Sequence, residues 1–322
     1  MNNNKMKALY FDGSNLNMVE REIPKINENE VLIKVIKAGI CSTDLEIMKG
    51  YQNFEGIPGH EFVGIVIESH NEELINKRVV GEINIPCHEC EICKRGLTKH
   101  CRNIRTFGIN NYDGCFAEYT KLPVENIHIL PDEISDDYGT FVEPLAAALE
   151  IENYIEHDEK ISLIGDGRLG LLIAMVLKIK GYDFLHIGKH EEKLKISKKM
   201  GIKTEMYNDD IVDEYKYNFD SVIEATGNES GLKTALDICI PSGKIILKST
   251  FNKKINIDIS HIVVNEYHLI GSRCGDFKKA IDFIRMYNPP LNDLISCYSS
   301  FDNSLKAIDE ARKKIKVIIN LL

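Results

Sequence analysis

KISLIGDGRLGLLIAMVLKIKG, residues 160–181, joins a strand-length apolar run to a helix-length apolar run through a glycine-rich turn. ISLI reads as a buried strand, and RLGLLIAMVLKIKG as a helix that stops at Gly181. Between them stand Gly165, Gly167 and Gly170, spaced G-x-G-x-x-G. In a strand–turn–helix setting the first glycine allows the tight turn, the second lets backbone approach a pyrophosphate, and the third lets the helix pack closely. The helix N-terminus then offers its free N–H groups to phosphate. Further along, FLHIG (184–188) reads as a second strand and HEEKLKISKKMG (190–201) has helical spacing. FDSVIEATG (219–227), GKIILKST (243–250) and YHLIGSR (267–273) continue the strands, with SGLKTALDI (230–238) as a helix between. Strands alternating with helices at this spacing predict an α/β domain built on a doubly wound parallel sheet.

Upstream, residues 5 to about 145 are β-rich, with VLIKVIKAGI (31–40) and EFVGIVIES (61–69) separated by Gly, Pro and Asn turns. VLIKVIKAG alternates as a half-buried strand does. Beyond residue 273 the alternation breaks at Pro289 and Pro290, and the closing KVIINLL is expected to return to the first domain. The expected division is therefore 1–147 with 274–322, and 148–273. A net charge of −9 argues against nucleic acid as a partner. No run of about 18 apolar residues suggests a membrane span. The start, MNNNKMKALYFDG, lacks the apolar core of a signal peptide, so the expected location is the cytoplasm.

Four of the nine cysteines, Cys87, Cys90, Cys93 and Cys101, fall in PCHECEICKRGLTKHC (86–101). An odd cysteine count with no export signal argues against a disulfide framework. Metal–sulfur bonds of about 2.3 Å need thiolates converging from a tight loop, which C-x2-C-x2-C-x7-C provides. Four thiolates close the shell and leave no place for substrate, so the cluster reads as a structural zinc site. An iron–sulfur cluster fits less well in a chain with no other redox signature.

Sparser motifs carry the chemistry: GICSTDLE (39–46), GHEFVG (59–64) and FVEPLA (141–146). Together they offer a thiolate, an imidazole and carboxylates, the donor set of a catalytic zinc with one open position. With the four-cysteine lobe, GCFAEY (114–119) and the glycine-rich turn in this order, the chain resembles the zinc-dependent medium-chain dehydrogenases, which include alcohol, polyol, sugar and threonine dehydrogenases. That resemblance implies a GroES-like β-rich catalytic domain, a Rossmann domain, two zinc ions (one catalytic, one structural) and a homodimer or homotetramer. It implies Cys41 and His60 as zinc ligands, Glu143 at the third-ligand position and Glu61 as an exchangeable carboxylate. Which glutamate binds at rest stays open. Thr43 would take the proton of the substrate hydroxyl, and Asp44 would orient His60. Glu46 stands where many relatives carry a relay histidine, and Cys115 where the family carries glycine.

At the end of the second strand, where an NAD-binding chain presents an acid to the ribose, this chain has Gly188, then Lys189 and His190. A missing carboxylate and a nearby cation predict NADP over NAD. Arg168 could add charge, and Thr226 is expected along the cofactor cleft. The reading is a dehydrogenase interconverting a small-molecule alcohol, polyol or sugar hydroxyl with a carbonyl. The competing readings are a zinc-independent enoyl or quinone-type reductase and a non-catalytic nucleotide-binding protein. Zinc at Cys41 and turnover on an alcohol panel discriminate among them.

Overall fold

The computed structural model describes residues 4–208, 210–250 and 254–322. Its contacts divide the chain into two units, Met1–Glu143 with Ala280–Leu322, and Pro144–Lys279. Helices Val142–Leu149 and Phe277–Tyr287 run through the two boundaries, so no break in periodicity marks either one.

The first unit opens with a hairpin, β1 (Lys5–Phe11) and β2 (Leu16–Glu22), in antiparallel register from Lys5 opposite Glu22 to Phe11 opposite Leu16. Its turn is set by Asp12, whose Oδ1 accepts from the N–H groups of Ser14 and Asn15 at 2.9 and 2.7 Å. Next come β3 (Glu30–Gly39), β4 (Glu61–Ser69), β5 (Arg78–Gly81), β6 (Asn84–Ile85), β7 (Arg105–Thr106), β8 (Tyr119–Pro123) and β9 (Ile127–Ile129). Strand β3 does not show the alternation expected of it: Glu30 to Ile33 are buried in succession. It is an interior strand of its sheet, paired with β4 along one edge and with β17 and β8 along the other.

The second unit supplies β10 (Ile161–Ile164), β11 (Phe184–Gly188), β12 (Lys203–Met206), β13 (Phe219–Glu224), β14 (Cys239–Leu247) and β15 (His268–Gly271). They form one parallel sheet in the order β12-β11-β10-β13-β14-β15. The order reverses between β10 and β13, the switch point where such sheets bind nucleotides. All four residues of β10 are buried, as a central parallel strand requires. Helix Arg168–Ile179 buries every residue from Gly170 to Leu177, which explains its unbroken apolar run.

The chain then returns to the first unit with β16 (Ile295–Ser300) and β17 (Lys316–Asn320). Strand β17 lies antiparallel to the end of β3, with Ile318 opposite Gly39, and completes the order β16-β17-β3-β4-β5-β9. The fold is thus a GroES-like β-rich unit and a Rossmann unit. Among the described residues no helix is long and apolar enough to cross a membrane.

Candidate active site and nucleotide loop

Pairing of β3 with β4 builds the sparse site. Gly39, the last residue of β3, stands opposite Glu61, the first of β4. Cys41 follows two residues beyond one strand end and His60 precedes the other, so antiparallel register converts a separation of 19 residues into proximity. Single ligand atoms of Cys41, His60 and Glu61 all lie within 4.8 Å of one another. Cys41 also caps helix Ser42–Ile47, and its N–H donates to Asp44 Oδ2 at 2.7 Å. Asp44 is fully buried, and its Oδ1 lies 3.2 Å from His60 Nδ1. That approach is an ion-pair distance without hydrogen-bond alignment, and both atoms lack a hydrogen-bond partner. Thr43 Oγ1 lies 3.7 Å from Cys41 Sγ.

This pocket is built for positive charge. Burial alone would push the His60 pKa down, yet the Asp44 carboxylate and the Cys41 thiolate beside it hold it well above the ordinary histidine value. A thiolate, an imidazole and a carboxylate so close fit a zinc ion. Glu61 is additionally ion-paired with Lys316, the first residue of β17, whose Nζ donates to Thr140 O at 3.2 Å and sits 4.8 Å over the Phe141 ring. A Cβ at Gly39 would collide with Lys316 and Glu61, so glycine there leaves room for the pair. Glu143 lies in the first turn of helix Val142–Leu149 and is not in the 4.8 Å group. Cys115 is fully buried outside that group, and burial pushes its thiol well up, which keeps it protonated.

The four-cysteine loop closes as its spacing predicts. Ligand atoms of Cys87, Cys90, Cys93 and Cys101 all lie within 4.8 Å of one another, with Sγ–Sγ separations of 3.4 Å for Cys87–Cys101 and 3.5 Å for Cys90–Cys93. Backbone N–H groups of Arg102 and Cys93 hold the Cys90 thiol down, to about 6. Burial and the neighbouring sulfurs push Cys93 up to about 12. Four sulfurs this close ionise together only around a cation, so the set fits a closed zinc site.

In the second unit, Gly165 adopts φ +120° directly after β10, and a Cβ on Gly170 would collide with the Gly165 carbonyl. Both glycines are required by geometry, and Gly167 caps helix Arg168–Ile179. His186 on β11 is fully buried and pins the loop: its Nε2–H donates to Gly165 O and its Nδ1 pairs with Ser197 Oγ, both at 2.9 Å. Burial holds its pKa below the ordinary value. Gly188 ends β11. Lys189 follows, its Nζ 4.5 Å over the Tyr207 ring and 3.4 Å from Ser230 Oγ. His190 then caps helix Glu191–Lys199, where Glu191 pairs with Lys195 at 3.6 Å. Thr226, just past β13, donates from its N–H and hydroxyl to Glu224 Oε1 at 2.7 and 2.5 Å.

Comparison with known proteins agrees with both halves. Residues 27–132 match the alcohol dehydrogenase GroES-like domain, and residues 169–286 match the zinc-binding dehydrogenase domain. An L-threonine 3-dehydrogenase of Shewanella loihica is 32% identical over 76% of this chain and 77% of its own. The chain belongs to the zinc-binding alcohol dehydrogenase family. D-arabinitol dehydrogenase 1 of Uromyces fabae is 25% identical over 98% of this chain and 97% of its own. A crystal structure from Sinorhizobium meliloti 1021, described as a zinc-binding dehydrogenase bound to NADP, superposes with a TM-score of 0.90 at 25% identity, covering 98% of this chain and 99% of that one.

Sequence reasoning about this dehydrogenase missed three residues around its sites. Lys316 stands 255 residues from Glu61, beyond the reach of any spacing argument. Tyr207 meets Lys189 only through folding. Asp166, inside the glycine motif, was legible as an unusual acid, but the motif takes any residue there.

Proposed function

We propose that the protein is a zinc-dependent dehydrogenase that oxidises the hydroxyl of a small alcohol, polyol or sugar to a carbonyl, or runs the reverse, and that it uses NADP in preference to NAD. The observation that carries this is the gathering of Cys41, His60 and Glu61 at the paired ends of β3 and β4. These residues would hold the catalytic zinc, Glu143 lying outside their group, and the four cysteines would hold a second, structural ion. Zinc supplies Lewis acidity that makes a substrate hydroxyl easier to deprotonate. Asp44 fixes the orientation of the His60 ring. Thr43 accepts the hydroxyl proton at Oγ1 and passes it outward. Glu46, whose Oε1 lies 2.7 Å from Lys49 Nζ, stands where a relay would continue. Lys316 anchors the Glu61 carboxylate through their ion pair. A dinucleotide held by its pyrophosphate at the Gly165, Gly167 and Gly170 turn would supply the nicotinamide that takes up the hydride.

Preference for NADP is supported by Gly188, which leaves no acid at the end of β11, and by the Lys189 cation braced on Tyr207. The S. meliloti neighbour binds NADP. Steady-state kinetics over a panel of alcohols, polyols and sugars with both cofactors tests the whole reading. Turnover of a polyol with a higher kcat/KM for NADP is expected; no turnover, or a higher value with NAD, overturns it in full or in that part.

A homo-oligomer is supported by β15 standing at the end of its sheet among the described residues, by the exposed Leu269 on it, and by the exposed Ile259, Val263 and Val264 of helix Ile259–Val264. A cytoplasmic location suits thiols that must stay reduced to bind metal.

A further inference from the structure

Asp166 is the acid of the GDG turn, and it is only 6% exposed. Its Oδ2 accepts from the backbone N–H of His190 at 2.6 Å, and its Oδ1 from His190 Nδ1 at 2.9 Å. The carboxylate lies over Gly188: a Cβ at that residue would stand 2.7 Å from Asp166 Oδ2. Burial pushes the Asp166 carboxyl up, but the two His190 bonds and the charges of His190 and Lys193 outweigh it and hold it below the usual range. The volume in which an NAD-binding chain carries its ribose-reading acid is therefore filled from the glycine loop, by a carboxylate turned on His190. The His190 side chain is 54% exposed, so the ring stays open to solvent.

We propose that Asp166 is a specificity-positioning residue, which excludes an acid from the end of β11 and holds His190 for the 2′-phosphate of NADP. This rests on the NADP reading above. Asp166 acts through His190: both of its oxygens are engaged by that residue and its side chain is buried, which turns the carboxylate toward His190. The ring it holds and the Lys189 ammonium are two donors of the kind a phosphate takes.

Calorimetric dissociation constants for NADPH and NADH, measured on the zinc-loaded full chain, test this in wild type, Asp166→Asn, His190→Ala and the double variant. Asp166→Asn is expected to weaken NADPH about 10- to 100-fold, the worth of one charge-assisted hydrogen bond, and NADH by less than about 3-fold. The double variant should bind NADPH no worse than His190→Ala. Equal weakening of both cofactors, selective loss of NADH, or additive losses would each overturn the inference. Wild type binding NADH more tightly would overturn the cofactor preference instead, while the double-mutant cycle would still report whether Asp166 acts through His190. Melting curves add an independent arm. Gly188→Asp should lower Tm by crowding Asp166, and Asp166→Ala/Gly188→Asp should recover Tm and favour NADH. Gly188→Asp without a drop in Tm, or a double variant that still favours NADPH, counts against the proposal.

Discussion

Cys41 acquires its role from strand pairing, since a single thiol in a loop has no chemistry of its own. Its motif was legible because a thiolate, an imidazole and acids recur in a set order along the chain. Their convergence depends on the β3–β4 register, which no local pattern encodes. Replacing Cys41 with Ala should remove one zinc per chain and abolish turnover while the four-cysteine ion remains; two zincs retained on metal analysis would refute the ligand assignment. Lys316 shows the limit of reading residues singly. A lysine in the last strand looks like a solvated edge charge, yet it is buried against Glu61 because β17 pairs with the end of β3. Lys316→Met leaves Glu61 buried without its counter-charge, so a stability loss of about 3 kcal/mol is expected in urea unfolding. An unchanged midpoint would show the pair to be dispensable.

At the scale of elements, the strand–turn–helix of residues 160–181 was readable because all its determinants are local: buried run, glycines, buried run. Gly170→Ala should weaken NADPH binding by 10-fold or more, since the new Cβ meets the Gly165 carbonyl and forces the turn open. Titration of nicotinamide fluorescence measures this, and an unchanged affinity would mean that the helix can move away. The four-cysteine loop is equally local, with all four ligands inside sixteen residues. Cys93→Ser should release its zinc and lower Tm, because the ion would tie the short pieces Glu91–Lys94 and Thr98–His100 together. Strand β3 departs from its alternating pattern for the opposite reason: its burial is decided by non-local neighbours.

For the whole molecule, several buried groups titrate in the same direction. His186 is held below its ordinary 6.5 by burial. For Glu30 burial acts upward, but Lys121 and the Asn27 N–H hold it below its ordinary 4.5, and Asp166 lies below its ordinary 3.8. Each binds fewer protons folded than unfolded, so its stability contribution is complete above the unfolded pKa and is lost as pH falls. Unfolding free energy should therefore decline below pH 6.5 and more steeply below 4.5. His186→Gln should flatten the first part of the decline; an unaltered slope would assign it to other groups. Assembly belongs to this scale too. Val264→Glu should shift a homo-oligomer toward monomer in analytical ultracentrifugation, and an unshifted species would place the contact elsewhere.

By itself the sequence determined the α/β class, the glycine-rich turn, the four-cysteine cluster and the residue types that strand pairing gathers at Cys41, His60 and Glu61. Each is written either in local periodicity or in residue types too chemically specific to be filler. Only tertiary structure decided that Lys316 anchors Glu61, that Glu143 stands apart from the 4.8 Å group, and that Asp166 fills the space above Gly188. The physical reason is common to all three. They depend on strand register and on the meeting of side chains from distant segments, and hydrophobic periodicity says which face is buried but not what it is buried against.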